Sequence, residues 1–493
     1  LSFRTSVRTR WPQWTLAICI SLYLCSRLWR LTDLPIFLDE AIQMIWGWRL
    51  WSEGRWVRAA SGGKLLSAAI TGLLLRLPGD ALWLARLGSV AAGAISLACA
   101  WILGRWTGGA VVGAVAAALY VANPFLLLHD RICLADSWLA AFSSVVLVAA
   151  FWLVGRPGWK PTGLLSLSML ACAVAKTSGV VFWIAPLSVV ALVAWSHRAT
   201  WKYLATAYAG PMLVMALHVW LVPILELKAK TPMGDPHRWA WERVAKNLGD
   251  LWGWVSGSYY GVPMLAVATI VVATQAYRRR RSATALMASA VLPAVALCTV
   301  ADWLAPRYFL MCAVPLLVAT AHLVILVDTR WWRFAALGAL ILAGASWMTL
   351  DAEILTSPAT ARIAPIDHQQ YVAGWTAGYG SRETWNWLKE RAKADPHRLV
   401  VVAPRPTDSQ PSSPGRQLRA LDLDGRSLKV VEVAKKDLER TVCRWEQQGA
   451  HVLVLLADGD GSGMVGLGDR GEHRFNGQGR VFATLREAPC GEP

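Results

Sequence analysis

Charged residues are scarce in this sequence. Asp, Glu, Lys and Arg make up 16% of its 493 residues, against about 25% in a soluble globular protein. That shortage, beside 55% hydrophobic residues, excludes an ordinary soluble domain over most of the chain. Acidic residues are the scarcer sign, 32 against 49 basic ones. Nine cysteines form no CxxC pair and no metal-ligand spacing, which removes thiol–metal and dithiol chemistry from consideration. Most of them, such as Cys99, Cys172 and Cys312, sit in apolar runs as small filler. Cys443 and Cys490 stand apart in a polar tail, where they can pair if the tail meets an oxidising compartment. No internal repeat is visible, so a transporter built from paired halves loses its usual signature. No small-residue cleavage site follows the first apolar run, Trp14–Leu24, which comes after Arg4, Arg8 and Arg10. It reads as a first span and anchor rather than a removable signal.

What remains is a series of apolar runs. Val115–Leu128, Trp138–Val154, Val180–Trp195 and Leu310–Val327 lie in stretches long enough to cross a hydrocarbon core of about 30 Å as helices. Helix is required there, because no water satisfies the backbone. About eleven spans are expected, near 12–31, 83–103, 109–128, 136–154, 161–175, 178–195, 203–223, 259–276, 283–300, 307–327 and 331–350. Leu65–Leu77 is too short to cross and reads as an interfacial or re-entrant helix. Many of the 29 Trp flank these runs, as in an interfacial belt.

The net charge of +17 is spread over short loops rather than gathered for nucleic acid. With the N-terminus inside, the cytoplasmic loops hold Arg105, Arg156 with Lys160, Arg198 with Lys202, the run Arg278–Arg281, and Arg330 with Arg333. That is the positive-inside pattern. An odd span count then places the C-terminal tail outside. From Asp351 onward Pro, Gly, Asp and Arg rise, and strand-like runs appear at Leu399–Ala403, Leu428–Val433, Val452–Leu456 and Val481–Leu485. Lys435–Gln448 is patterned as a helix between two of them. The fold class is mainly α: a multi-span bundle over residues 1–350 with interfacial helices in its first outer loop, then a small soluble α/β domain over 351–493.

The outer connections carry the candidate chemistry. Asp39 and Glu40 follow the first span. A carboxylate at a membrane interface suits general-base work, and it equally suits a helix start, with Asp at the cap and Glu in the first turn of Ala41–Trp51. Arg131 and Asp136 flank a turn after the third span, in His129-Asp-Arg-Ile-Cys-Leu-Ala-Asp136. A guanidinium there can take a phosphate bidentately, or pair with Asp130 or Asp136. Lys176 lies between two spans, where a lysine marks a site or snorkels to the surface. Asp302 and Arg307 precede the tenth span, with Pro306 suited to its first turn. Lys64 opens the short helix. Asp422-Leu-Asp424 reads as a strand end rather than a metal motif, and Gly459–Gly468 as a mobile loop rather than a phosphate cradle. Acid–base pairs and cations on one face point to a cavity for an anionic, partly apolar substrate, such as a phosphate joined to a long lipid.

In these motifs the chain resembles the membrane-embedded glycosyltransferases of the GT-C class that use polyprenyl-phosphate sugars, among them the protein O-mannosyltransferases and the bacterial aminoarabinose transferases. The carriers are Leu38-Asp39-Glu40-Ala41, Ala85-Arg86-Leu87, Arg131 to Asp136, Ala175-Lys176-Thr-Ser-Gly179, Pro306-Arg307-Tyr308, and Gln370-Tyr-Val-Ala-Gly-Trp-Thr-Ala-Gly-Tyr-Gly380. The resemblance implies inverting transfer of a hexosyl or pentosyl unit from a polyprenyl-phosphate donor to an acceptor hydroxyl on protein, glycan or lipid, at the outer face of the cell membrane. It implies Asp39 as general base, with Glu40 positioning the acceptor or orienting Asp39. Lys64, Arg131, Lys176 and Arg307 would bind the donor phosphate, with Arg86, Asp136 and Tyr308 as further site residues. Phosphate is already a good leaving group, so no cofactor is required, though the scheme leaves room for a divalent metal. One departure stands out: where relatives often follow a His or Lys of the first loop with Pro-Pro, this chain reads Gly62-Gly63-Lys64-Leu65-Leu66. The rival expectation is a transporter or flippase of a lipid-linked anion.

Overall fold

The computed structural model describes residues 11–224, 241–277, 281–326, 330–373, 376–378, 381–394, 399–404, 414–421, 423, 429–457, 470–477 and 480–487. Arg278–Arg280, Gly459–Gly468, Cys490, and both aspartates of Asp422-Leu-Asp424 lie outside the described residues. The chain opens with α1 (Trp11–Leu28), α2 (Leu38–Ser52), α3 (Val57–Ser61), α4 (Leu65–Leu74) and α5 (Ala81–Gly108). There follow α6 (Ala110–Val121), α7 (Pro124–His129), α8 (Ala135–Gly155), α9 (Trp159–Ala175), α10 (Ile184–Val193) and α11 (Arg198–Ile224). Next come α12 (Trp241–Gly253), α13 (Val262–Tyr277), α14 (Arg281–Val300), α15 (Leu310–Ala321), α16 (Arg330–Ala343) and α17 (Ala345–Thr356).

Among the described residues, four helical stretches are long and apolar enough to cross a membrane: Ala81–Gly108, Ala135–Gly155, Arg281–Val300 and Pro306–Ile325. The number rises to six if two bent pairs each count as one span. This falls short of the eleven expected, and the breaks have local causes. The third expected span stops at Val121 because Asn123-Pro124 starts a new helix. Asn123 Oδ1 accepts from Leu126 N at 3.2 Å, and Pro124 fills the first turn, where its missing N–H is harmless. The sixth opens as the 3₁₀ stretch Thr177–Trp183 before α10 begins. α12 passes through the π-helical turn Trp254–Tyr259, and it meets α13 at 109°.

Contact density divides the chain into two compact units. The first comprises residues 1–29, 55–70 and 86–364; the second comprises 30–54, 71–85 and 365–493. The first is the helical bundle. Its core is made of small and branched side chains, such as Ala116, Val146, Leu147 and Val318, all fully buried. Small residues let helices approach closely where lipid removes the usual hydrophobic drive.

The second unit contains α2 and continues with α18 (Pro365–His368), α19 (Ser381–Ala394), α20 (Pro414–Leu421) and α21 (Leu438–Gln447) around one sheet. Its strands are β1 (Leu399–Pro404), β2 (Lys429–Val433), β3 (His451–Ala457), β4 (Arg470–Gly477) and β5 (Arg480–Glu487), in the order β2-β1-β3-β5-β4. β1 runs parallel to both β2 and β3, and β5 pairs antiparallel with β3 and β4. Alternation along β1 assigns its two faces. Leu399, Val401 and Ala403 pack with Trp385, Leu388 and Leu418, while Val400 and Val402 pack with Leu438 and Val442. The four strands and the helix expected from the sequence are all present. β4 is the addition; its sequence, Arg-Gly-Glu-His-Arg-Phe-Asn-Gly, has no apolar alternation, as befits a polar edge strand.

Candidate active site

The third-span turn separates two carboxylates with different fates. Asp130 is 3% exposed. It accepts from Tyr23 Oη at 3.2 Å and Tyr120 Oη at 3.3 Å, and lies 4.0 Å from Arg27 Nε. Arg27 also donates to the Val121 carbonyl at 2.8 Å and stacks over Tyr23 at 4.8 Å. Burial pushes Asp130 up from 3.8 to about 7, against the pull of Arg27 and the two tyrosines. This network ties α1 to α6 and to the turn after α7.

Asp136, in the first turn of α8, instead receives Lys176 Nζ at 2.6 Å. Lys176 ends α9 in an extended conformation, so its side chain leaves the helix. Its ammonium also sits 3.9 Å from the centre of the Tyr308 ring. Arg307 lies 5.6 Å from the same ring and 6.0 Å from Trp303. A ring face within about 6 Å of a cation attracts it, so Tyr308 holds both cations. Pro306 starts the 3₁₀ turn Pro306–Phe309 that carries Arg307 and Tyr308, as its sequence position predicts.

His129 closes the group. Its Nδ1 is 2.8 Å from the Phe125 carbonyl, and its ring meets Phe125 and Tyr259 edge-on. Burial lowers His129 from 6.5 to about 4; Arg307 adds to the lowering, while Phe125 and Asp136 oppose it. The imidazole is therefore neutral at pH 7.

Lys64 belongs to the same unit. The Gly63 carbonyl accepts from Thr177 N at 2.9 Å, and Ser67 Oγ donates to the Ala175 carbonyl at 3.0 Å. The segment around Lys64 thus contacts both residues that flank Lys176. Gly63 adopts φ +65°, and a Cβ there would stand 2.0 Å from Thr177 Oγ1. Only glycine fits this turn and this close approach at position 63.

The remaining cations are placed differently. Arg131 is 2% exposed and donates from Nη2 to the Trp29 carbonyl at 2.7 Å. Arg86 is fully buried within α5. Asp302 does not join Arg307; it pairs with Arg243 of α12.

Beside this cluster lies an apolar cavity of about 390 Å³. Pro306 and Phe309, on either side of Arg307 and Tyr308, form part of its wall. So do Phe125 and Tyr259, the ring partners of His129, and Trp252 and Val255 from α12 and its π turn. Sequence reasoning did not single out Tyr259 or give His129 a role. The only local signal for Tyr259 was the aromatic Tyr259-Tyr260 pair before a span.

In the second unit, Asp39 and Glu40 lie in the first turn of α2. The cap position is Phe37, so Asp39 is not the cap residue that one reading of the sequence made it. Glu40 is fully buried and accepts from Phe37 N at 3.2 Å, while Asp39 is half-buried. Among the described residues no group of His, Cys, Asp and Glu could hold a metal ion.

No family model matches the sequence, and no curated protein matches it either. Solved structures do. The crystal structure of ArnT from Cupriavidus metallidurans bound to undecaprenyl phosphate matches 99% of this chain and 100% of its own, with TM-score 0.64 and 14% identity. The Archaeoglobus fulgidus oligosaccharyltransferase in complex with zinc and sulfate matches 90% of this chain and 67% of its own, with TM-score 0.51 and 12% identity. The chain thus has the fold of a GT-C-like membrane glycosyltransferase.

Proposed function

We propose that this protein transfers a sugar from a polyprenyl-phosphate donor to an acceptor hydroxyl at the outer face of the membrane, with inversion. The observation that carries the reading is the meeting of Lys176 and Arg307 at the Tyr308 ring, in a turn whose flanking residues Pro306 and Phe309 line an apolar cavity. A lipid phosphate needs both: cations for the headgroup and a dry wall for the chain. That one neighbour in fold was solved with undecaprenyl phosphate bound supports the same ligand class.

Asp39 is the general base in this scheme and takes the acceptor's proton as its oxygen attacks the anomeric carbon. The glycosidic C–O bond breaks, and the electron pair leaves with the phosphate. Lys64, Arg131, Lys176 and Arg307 stabilise that leaving dianion. Asp136 aims Lys176, and Tyr308 holds the two nearest cations. Glu40 caps α2 through Phe37 N, which suits it to positioning rather than to proton transfer. Arg86 supports the fold around the site. The scheme routes no step through a metal.

The chain crosses the membrane about eleven times in this reading, with the N-terminus inside and the C-terminal domain outside. The basic loops support it, and so does Cys443, which is disulfide-bonded while Cys19, Cys25, Cys99, Cys133, Cys172, Cys298 and Cys312 are free. Disulfides persist in oxidising compartments. A reporter active only in the cytoplasm, fused after Pro493, should be silent; activity would reverse the topology.

The direct test incubates purified protein in nanodiscs with a sugar-labelled polyprenyl phosphate and a membrane extract as acceptor. Free polyprenyl phosphate and a labelled acceptor should both appear. Donor that changes leaflet but stays intact would make the protein a flippase instead.

A further inference from the structure

The start of α2 is built in an unusual way. A helix leaves its first N–H groups without intrahelical partners, and a Ser, Thr, Asp or Asn cap normally takes one of them. Here the cap is Phe37, whose side chain cannot accept. The carbonyl of Thr376 takes the role instead and accepts from Leu38 N at 3.1 Å. Thr376 lies between α18 and α19, far along the chain from α2 and in the same compact unit.

One side chain fastens this junction. Gln417 of α20 is 2% exposed, and its Nε2 donates to the Ile36 carbonyl and to the Thr376 carbonyl, both at 3.1 Å. A neutral amide nitrogen has two protons and so can bridge two carbonyls at once. A carboxylate there would face two acceptors with no donor of its own. The segments of the junction are also in close contact. A Cβ on Gly378 would stand 2.2 Å from the Ile36 carbonyl, the Phe37 ring meets Tyr371 edge-on at 4.9 Å, and Arg382 Nη1 reaches the Thr32 carbonyl at 3.3 Å.

We propose that Gln417 is a positioning residue for sugar transfer: by bridging Ile36 and Thr376 it fixes the backbone on which Asp39 stands. This rests on the reading of Asp39 as general base. Ile36 and Leu38 are the residues pinned, and Asp39 follows at once in the same turn. The C-terminal domain thereby gains a part in the chemistry, because its α20 supplies the clamp. Proton transfer depends on placement within a hydrogen bond's length, so a small loosening of α2 costs rate without touching donor affinity.

The test is a double-mutant cycle on the full-length protein in nanodiscs. Gln417→Met keeps the length and volume of the side chain but has no donor. It should lower kcat by about 10- to 100-fold with the KM for donor unchanged and the thermal midpoint close to wild type. In an Asp39→Asn background the same change should have no further effect on residual turnover, because a residue acting through Asp39 has nothing left to position. An equal loss in both backgrounds would show a general structural role and overturn the proposal. So would wild-type kcat in Gln417→Met alone while Asp39→Asn is inactive. Wild-type turnover in Asp39→Asn would instead overturn the reading of Asp39 itself. Should Gln417→Met fail to fold, Gln417→Lys, which restores a donor, reads the same point: recovered kcat supports the clamp, and a folded Lys variant with kcat still depressed equally in both backgrounds refutes it.

Discussion

Asp130 and Asp136 are six positions apart, near the same turn, and both are almost fully buried. One is enclosed by two tyrosines and Arg27 in a network that joins helices. The other holds a lysine that reaches an aromatic ring beside an apolar cavity. The difference lies in the partner. Arg27 spends its other donors on backbone carbonyls, so its charge is used up in building the bundle. Lys176 gives its ammonium to Asp136 and to the face of Tyr308, whose chain neighbour Phe309 lines the cavity. Two equally buried carboxylates thus have different surroundings, set by what the paired cation faces.

That contrast can be broken from either side. The largest effect is expected at Asp130→Ala, which leaves Arg27 buried without its anion. Loss of one member of a buried pair costs about 3–5 kcal/mol, so the variant should show a collapsed thermal midpoint and poor recovery as a monodisperse species. Lys176→Met should add a second effect. It also takes one member from a buried pair and should lower the thermal midpoint, but in the folded protein donor affinity, read by titration with polyprenyl phosphate, should fall as well, by about tenfold or more, the scale of a lost charge-assisted contact. A Lys176→Met protein that is destabilised yet binds donor as the wild type does would merge the two clusters into one structural network. Arg307→Lys sharpens the comparison within the second cluster. It keeps the charge but loses the planar fork and its stacking, so donor affinity should fall only part of the way toward that of Arg307→Ala.

The smallest effect is a pH dependence. Asp130 is raised from 3.8 to about 7 in the folded protein. The folded state therefore binds this proton more tightly than the unfolded state does. Its contribution to stability is complete below about pH 3.8 and is lost as pH rises through 7. Asp130→Asn should flatten this part of the thermal stability profile between pH 5 and 8. Equal slopes in wild type and Asp130→Asn would show that Asp130 does not carry the titration.

Much of this was legible in the sequence. Long apolar runs revealed the helices, and the apolar strands β1, β2, β3 and β5 followed from short β-rich segments. The positions of Lys176 and Arg307 drew attention as ionisable residues at span ends, where charge is costly and needs a reason, and Tyr308 came with the Pro306-Arg307-Tyr308 resemblance. The breaks at Asn123-Pro124 and in the 3₁₀ stretch after Lys176 were not read, because hydropathy averages over them. β4 escaped because an edge strand needs no apolar alternation. Nothing in the spacing told Asp130 from Asp136, since their partners come from α1 and α9, distant in sequence. The grip of Gln417 on Ile36 was likewise invisible, because a single amide in a polar helix carries no pattern.

The central claim is that this fold moves a sugar with Asp39 as the base, and one paired measurement tests it most directly. Donor binding and single-turnover release of polyprenyl phosphate are measured for the wild type and for Asp39→Asn. The account predicts unchanged donor affinity and a rate lower by about 10²- to 10⁴-fold, the usual cost of losing a general base. An Asp39→Asn protein that releases polyprenyl phosphate at the wild-type rate would contradict it.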